Sequence, residues 1–181
     1  SISIGYQLST LHTLHNLEQA YILDLGKVSN NRIEEYLSLA RMVAHKTYIS
    51  LELLSKRAKR ETLYDGGLIK GFLSTPQESY MMHQGEKFIE RFTPESYLSI
   101  IKGWQNFKIE QEDLNKLKDI ETLVISVDSD VCFYPEEQKE FLEILNNHEI
   151  RTTYTTIIST KGHDSFLLEP ELFEDTLKNF L

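Results

Sequence analysis

The chain has 181 residues, 40% hydrophobic and 26% charged, with nine Tyr, nine Phe and one Trp; this is the composition of one globular domain with a core, and it excludes a disordered tail. Asp and Glu outnumber Lys and Arg by 28 to 19, and the resulting charge of −9 repels phosphate backbones and anionic lipid, so no nucleic-acid partner is expected. No apolar run approaches the roughly 20 residues that cross a bilayer and no signal-peptide pattern is present, while the lone Cys132 can form no internal disulfide, so no membrane association and a cytoplasmic setting are expected.

Ser1-Ile-Ser-Ile-Gly5 alternates polar and apolar, which predicts a short half-buried strand. Leu8, Leu11, Leu14, Leu17, Ala20 and Tyr21 then recur at three-to-four spacing and predict an amphipathic helix. A second helix is expected from about Asn31 to Tyr48, with Ile33, Tyr36, Leu37, Ala40, Val43, Ala44 and Thr47 on its apolar side. A third runs from Leu51 to about Arg60, capped by Ser50. Gly66, Gly67 and Gly71 break the period between Glu61 and Pro76, which reads as a loop. Helices follow at Glu78–Arg91 and Ser96–Phe107, the second with Thr93 as N-cap and Pro94 at its first position. Residues 8–116 are thus nearly all helical.

At Ile120 the pattern changes. Thr122–Val127 is a continuous β-branched and aliphatic run, which suits a strand buried on both faces of a parallel sheet. Pro135, Glu136 and Glu137 open a helix carried by Phe141, Leu142 and Leu145. A second strand spans Thr152–Ile158, and Pro170 starts the last helix, through Phe173, Leu177 and Phe180. Strand, helix, strand, helix predicts a βαβ unit in an α/β fold.

Ligand sites of parallel sheets gather beyond the carboxyl ends of the strands. Asp128-Ser129-Asp130 closes the first strand and Gly162-His163-Asp164 follows the second, so an acid and an imidazole can meet at one sheet edge. A carboxylate placed there fixes the tautomer of a catalytic histidine and stabilises its imidazolium. Each cluster alone also fits an ordinary turn or cap.

The segment Val124-Ile-Ser-Val-Asp-Ser-Asp130-Val-Cys-Phe-Tyr-Pro135-Glu-Glu-Gln138, followed by Gly162-His163-Asp164-Ser165-Phe166-Leu167, resembles the C-terminal half of the homoserine O-acetyltransferases. Leu39-Ala40-Arg41-Met42 with Thr47-Tyr48, His83-Gln84-Gly85-Glu86-Lys87-Phe88 with Arg91-Phe92, and Ser96-Tyr97-Leu98 agree, as does the 33-residue separation of Asp130 and His163. The related serine and homoserine succinyltransferases share the pattern. The resemblance implies an α/β fold, the C-terminal part of an α/β-hydrolase with an inserted helical lid: residues 1–7 and 118–181 in the partial core, 8–117 in the lid and dimerisation region. It makes Asp130 the triad acid and His163 the general base. Asp164 would receive the amino group of the acyl acceptor, and Arg41 would hold its carboxylate. Arg41 has Leu37, Ser38, Ala44 and His45 at i±3 and i±4, so no acid on its own helix neutralises it there.

The implied reaction moves an acetyl group from acetyl-CoA, a co-substrate rather than a bound cofactor, to the hydroxyl of L-homoserine in methionine biosynthesis. It needs a serine on a Gly-x-Ser-x-Gly-like elbow, and no such motif occurs in these 181 residues. The expectation is therefore an N-terminal half carrying the nucleophile, with this chain catalytically incomplete alone. A homodimer is expected through exposed apolar residues of the Glu78–Phe107 helices. The half-sheet should leave a strand edge at Ser1–Gly5 or Thr122–Val127. The alternatives are another acyltransferase or a hydrolase of the same fold, or a non-catalytic binding module.

Other constellations carry less. His12, His15 and Glu18 share a helical face but read as polar surface, and no metal is expected. Lys56-Arg57-Ala58-Lys59-Arg60 is explained by the dipole of a helix C-terminus. Trp104, Tyr97 and Phe107 read as core or interface, and Cys132 as packing.

Overall fold

The structure, a computed structural model, describes residues 2–3, 7–29, 32–58 and 75–181, the first two by their backbone alone. Gly66, Gly67, Gly71, Lys59, Arg60 and the rest of Ser1–Gly5 lie outside the described residues. Strand β1 (Ile2–Ser3) leads to helices α1 (Thr10–Val28), α2 (Ile33–Tyr48), α3 (Leu51–Arg57), α4 (Pro76–Ile89), α5 (Pro94–Gln105) and α6 (Gln111–Leu117). Strand β2 (Thr122–Val127), helix α7 (Pro135–Asn147), strand β3 (Thr152–Ile157) and helices α8 (Ser165–Leu168) and α9 (Glu171–Phe180) follow. The chain forms two units: Ser1–His12, Thr47–Ser50 and Asn106–Leu181 in the first, Thr13–Lys46 and Leu51–Gln105 in the second.

The first unit is built on a parallel sheet in the order β1-β2-β3. All six residues of β2 are buried because successive side chains go to opposite, equally covered faces. Leu123, Ile125 and Val127 pack with Ile157 and with Phe173 of α9; Val124 packs with Leu114 of α6 and with Phe141 and Leu145 of α7. Each such fully buried Leu or Phe contributes about 1.5–3 kcal/mol. Since β2 lies between β1 and β3, Thr122–Val127 is not a sheet edge. Of the two edges expected, the one at the first strand agrees with the sheet order, in which β1 is outermost among the described strands, while the one at Thr122–Val127 does not, because a run buried on both faces does not reveal whether its backbone is paired on one side or two. Ser50, expected to cap α3, donates its hydroxyl to Thr160 O and its N–H to Lys161 O, which draws Thr47–Ser50 into this unit.

The second unit is helical. Leu23, Leu37, Ala40, Phe88, Tyr97 and Ile101 form its core, so Tyr97 is interior. Helix α4 starts at Pro76, two residues earlier than the apolar pattern suggested, because the Thr75 hydroxyl accepts the Glu78 N–H at 3.1 Å. Thr93 caps α5 as expected, through Ser96 N–H to its Oγ1 at 3.2 Å and a reciprocal bond from Thr93 N–H to Ser96 Oγ at 3.1 Å. Gly85 is where α4 meets α2: a Cβ there would stand 2.1 Å from Ser38 Oγ.

Helix α1 reverses its expected orientation. Leu14, Leu17 and Tyr21, together with Leu25 and Val28, are exposed, whereas Asn16, Gln19 and Leu23 are buried. The polar members of that inner face are hydrogen-bonded within the second unit: Tyr97 Oη donates to Gln19 Oε1, and Asn16 Nδ2 donates to Gln105 Oε1 at 3.2 Å.

Candidate active site

Strands β2 and β3 pair in register from Thr122↔Thr152 to Val127↔Ile157, so the loops that follow leave the sheet at the same level. Polar side chains tie these loops together. Asp128 Oδ1 accepts the Ser159 N–H at 2.9 Å. Ser129 Oγ donates to Ser159 O and accepts the Gly162 N–H at 3.0 Å. Gly162 has φ +75°, and a Cβ there would stand 2.8 Å from Ser50 N, so the backbone demands glycine.

This scaffold brings Asp130 and His163 together. His163 Nδ1–H donates to Asp130 Oδ2 at 2.9 Å. The other carboxylate oxygen, Oδ1, accepts the N–H groups of Cys132 at 2.7 Å and Phe133 at 3.0 Å. A carboxylate that is 6% exposed thus meets three N–H donors, which offset its lost hydration and fix its rotation. With its proton on Nδ1, the neutral imidazole keeps a lone pair on Nε2. The ring centroid lies 5.3 Å from Phe133, 5.6 Å from Phe166 and 6.4 Å from Tyr48, so its orientation is set by packing as well as by the carboxylate.

Asp164 stands between His163 and α8, and its N–H donates to Tyr48 O at 2.9 Å. Asp130, His163 and Asp164 therefore share the first unit, while Arg41 belongs to α2 in the second. The Arg41 guanidinium lies 5.0 Å over the Phe88 ring, a cation–π contact between α2 and α4.

Among the described residues, one group of three has potential metal-ligand atoms within 4.8 Å of one another: Asp130, Cys132 and His163. Burial, and then the Asp130 carboxylate, push the Cys132 thiol far above its ordinary range, so without a bound metal it stays protonated. The group fits an acid–imidazole pair beside a neutral thiol. His12, read as a surface residue, is 4% exposed, with Nε2 3.1 Å from Cys132 Sγ. Glu18 is exposed, and burial, then Lys46, lower the pKa of His15. Lys56 pairs with Glu52.

Sequence reasoning missed the two amides that hold Asp130; the signal was its place at the head of an Asx-type turn. It also missed the aromatic packing of His163 by Phe133 and Phe166. Of the large apolar residues between Glu78 and Phe107, only Ile100 and Phe107 are exposed, while α1 exposes five.

No family model matches the chain. It is 34% identical over 159 residues to a homoserine O-acetyltransferase of Gluconobacter oxydans, a match covering 80% of this chain and 40% of that protein. It is 35% identical over 167 residues to a homoserine O-succinyltransferase of Magnetococcus marinus, covering 89% and 42%. The chain spans about two fifths of the length of these curated relatives. Among solved structures, a homoserine O-acetyltransferase from Bacillus anthracis superposes with a TM-score of 0.80 at 16% identity, covering 99% of this chain and 51% of the other. Esterase E22 gives 0.81 at 14% identity, covering 99% and 53%. An α/β hydrolase from a deep-sea metagenome, MGS-M2, gives 0.64 at 17% identity, covering 99% and 54%. The chain has the fold of part of an α/β-hydrolase. No described helix is long and apolar enough to cross a membrane.

Proposed function

We propose, for a chain related in sequence to the homoserine O-acyltransferases over part of their length, that it carries the acid and base of an acyltransferase acting on L-homoserine. The observation that supports this most directly is the His163–Asp130 bond of 2.9 Å, with the second carboxylate oxygen locked by two backbone N–H groups. Such a pair fixes the orientation and the tautomer of the imidazole, which is what a general base needs.

In the proposed reaction a serine outside these 181 residues attacks the thioester carbonyl of acetyl-CoA. Its proton passes to His163 Nε2 and then to the departing coenzyme A thiolate, which leaves as the thiol. The homoserine hydroxyl next gives its proton to Nε2 and attacks the acyl-serine carbonyl. The serine oxygen leaves and takes that proton back. Asp130 holds the imidazole orientation and stabilises the imidazolium in both steps. Arg41 would grip the acceptor carboxylate and Asp164 its ammonium group, which favours transfer over hydrolysis by fixing the attacking hydroxyl. The helical second unit would serve as the lid.

The test is transfer from acetyl-CoA to L-homoserine by the full protein carrying Asp130→Asn or His163→Ala. The expected loss is on the order of 10³-fold or more in kcat. A rate within about threefold of the parent would overturn the assignment. The succinyltransferase relative motivates one second reading, in which succinyl-CoA is the donor; comparing the two thioesters separates them.

A second copy of the chain is the proposed partner of α1. Its exposed residues Leu14, Leu17, Tyr21, Leu25 and Val28 are spaced symmetrically about Tyr21. An antiparallel two-fold pairing would therefore set Leu14 against Val28, Leu17 against Leu25 and Tyr21 against itself, the self-complementarity an isologous interface requires. A methionine-biosynthetic role in the cytoplasm is part of the same proposal.

A further inference from the structure

His12 is a buried imidazole that the proposed chemistry does not use, and its surroundings are specific. It is the third residue of α1, where its N–H donates to Ser9 Oγ at 3.0 Å, so the capped start of the helix fixes its backbone. Its Nε2 is 3.1 Å from Cys132 Sγ, and its ring centroid is 5.3 Å from that of Phe133, tilted by 52°. Cys132 and Phe133 are the residues whose N–H groups hold Asp130 Oδ1, and Phe133 also packs on the His163 ring. All of these residues belong to the first unit.

We infer that His12 is a positioning residue: by bonding the Cys132 sulfur and packing on Phe133 it holds the 130–133 turn so that both amides address Asp130, and thereby keeps His163 in the Nδ1–H tautomer. The rotation of the Asp130 carboxylate about Cβ–Cγ is set by the two amides on Oδ1; if these drift, Oδ2 turns away from His163 Nδ1 and the imidazole loses the partner that selects its tautomer. Nothing on the Asp130 side chain itself prevents that drift. The fully buried Cys132 side chain does, because its sulfur is bonded on one side by His12 and also forms a hydrogen bond with the Thr47 hydroxyl. An ordinary packing role for His12 would need only its shape, whereas this role needs a hydrogen-bonding atom at the Nε2 position.

The inference rests on the reading of Asp130 and His163 as an acid–base pair, yet its test does not depend on turnover. Long-range proton–nitrogen spectra of the histidine rings report the tautomer of His163, and amide hydrogen exchange reports the bonds from Cys132 and Phe133. His12→Phe, which keeps ring bulk and removes the bond, should shift the His163 tautomer ratio toward Nε2–H by about threefold or more, the equilibrium equivalent of one net hydrogen bond. It should also speed exchange at Cys132 and Phe133 by a similar factor while leaving the amides of β2 unchanged. His12→Gln, whose side-chain amide reaches the same position, should restore both readouts. A folded His12→Phe protein with the parental ratio and protection would overturn the inference, as would His12→Gln behaving like His12→Phe. Cys132→Ala breaks the same contact from its other end, and a parental spectrum there would overturn it equally, so the inference stays falsifiable if His12→Phe does not fold. Loss of transfer in Asp130→Asn with parental spectra in the His12 variants would refute the positioning role and leave the acid–base reading intact.

Discussion

Acidification should destabilise the helical unit through one residue, by an amount that follows from its surroundings. His45 on α2 is 5% exposed; burial, and after it the guanidinium groups of Arg41 and Arg57, lower its pKa from 6.5 to about 4. Its Nε2 lies 3.2 Å from Tyr80 Oη, while Nδ1 has no hydrogen-bond partner among the described residues. Protonation would thus add an N–H without an acceptor beside two cations. The folded state keeps the ring neutral, whereas the unfolded chain takes up a proton below pH 6.5. The stability His45 confers is therefore fully present above pH 6.5, declines as the pH falls, and is lost once the pH has passed about 4. At about 1.4 kcal/mol per pH unit, the interval is worth on the order of 3 kcal/mol, of which about 2 kcal/mol falls above pH 5. The assay is urea unfolding followed by circular dichroism at about pH 7, 6 and 5, for the parent and His45→Gln. Carboxylates and the other histidines titrate in both proteins, so the difference isolates His45. The parental midpoint should fall by about 1 M urea more than that of the variant between pH 7 and 5. Parallel pH dependences, within about 0.5 kcal/mol, would refute the reasoning.

Gly162→Ala forces a left-handed residue to carry a Cβ that would lie 2.8 Å from Ser50 N; thermal unfolding should show a loss of about 2 kcal/mol or more. Tyr21→Lys places a charge at the centre of the α1 stripe; if α1 pairs as proposed, sedimentation should report a dimer for the parent and a monomer for the variant, and a monomeric parent or an unchanged dimer in the variant would remove α1 from the interface. Arg41→Lys keeps the charge and discards the planar fork, so KM for L-homoserine should rise roughly tenfold with kcat changed far less; an unchanged KM would remove Arg41 from the acceptor site.

What the sequence reveals depends on how local each cause is. Strand β2 was legible because burial on both faces leaves an unbroken apolar run, and the meeting of Asp130 with His163 was legible because parallel strands deliver both loops to one edge. Which acid of Asp128-Ser129-Asp130 would meet the imidazole was not legible from spacing. Asp128 accepts the Ser159 N–H and Ser129 cross-links the same loops, roles that emerge only when β3 is in place. His12 was misread for the same reason. Its neighbours in sequence describe a polar helical face, and its burial comes from Cys132, 120 residues away. Helix α1 makes the point most sharply, since periodicity locates a helix without saying which stripe faces inward. Here the inner face includes Asn16 and Gln19, whose amides are matched by Gln105 and Tyr97, so burying them does not carry the cost of unsatisfied polar groups. The apolar stripe, left on the surface, gains nothing from the fold of its own unit. In the proposed two-fold pairing that gain would come from the α1 of a second copy, whose stripe has the same symmetric spacing and is therefore complementary to this one.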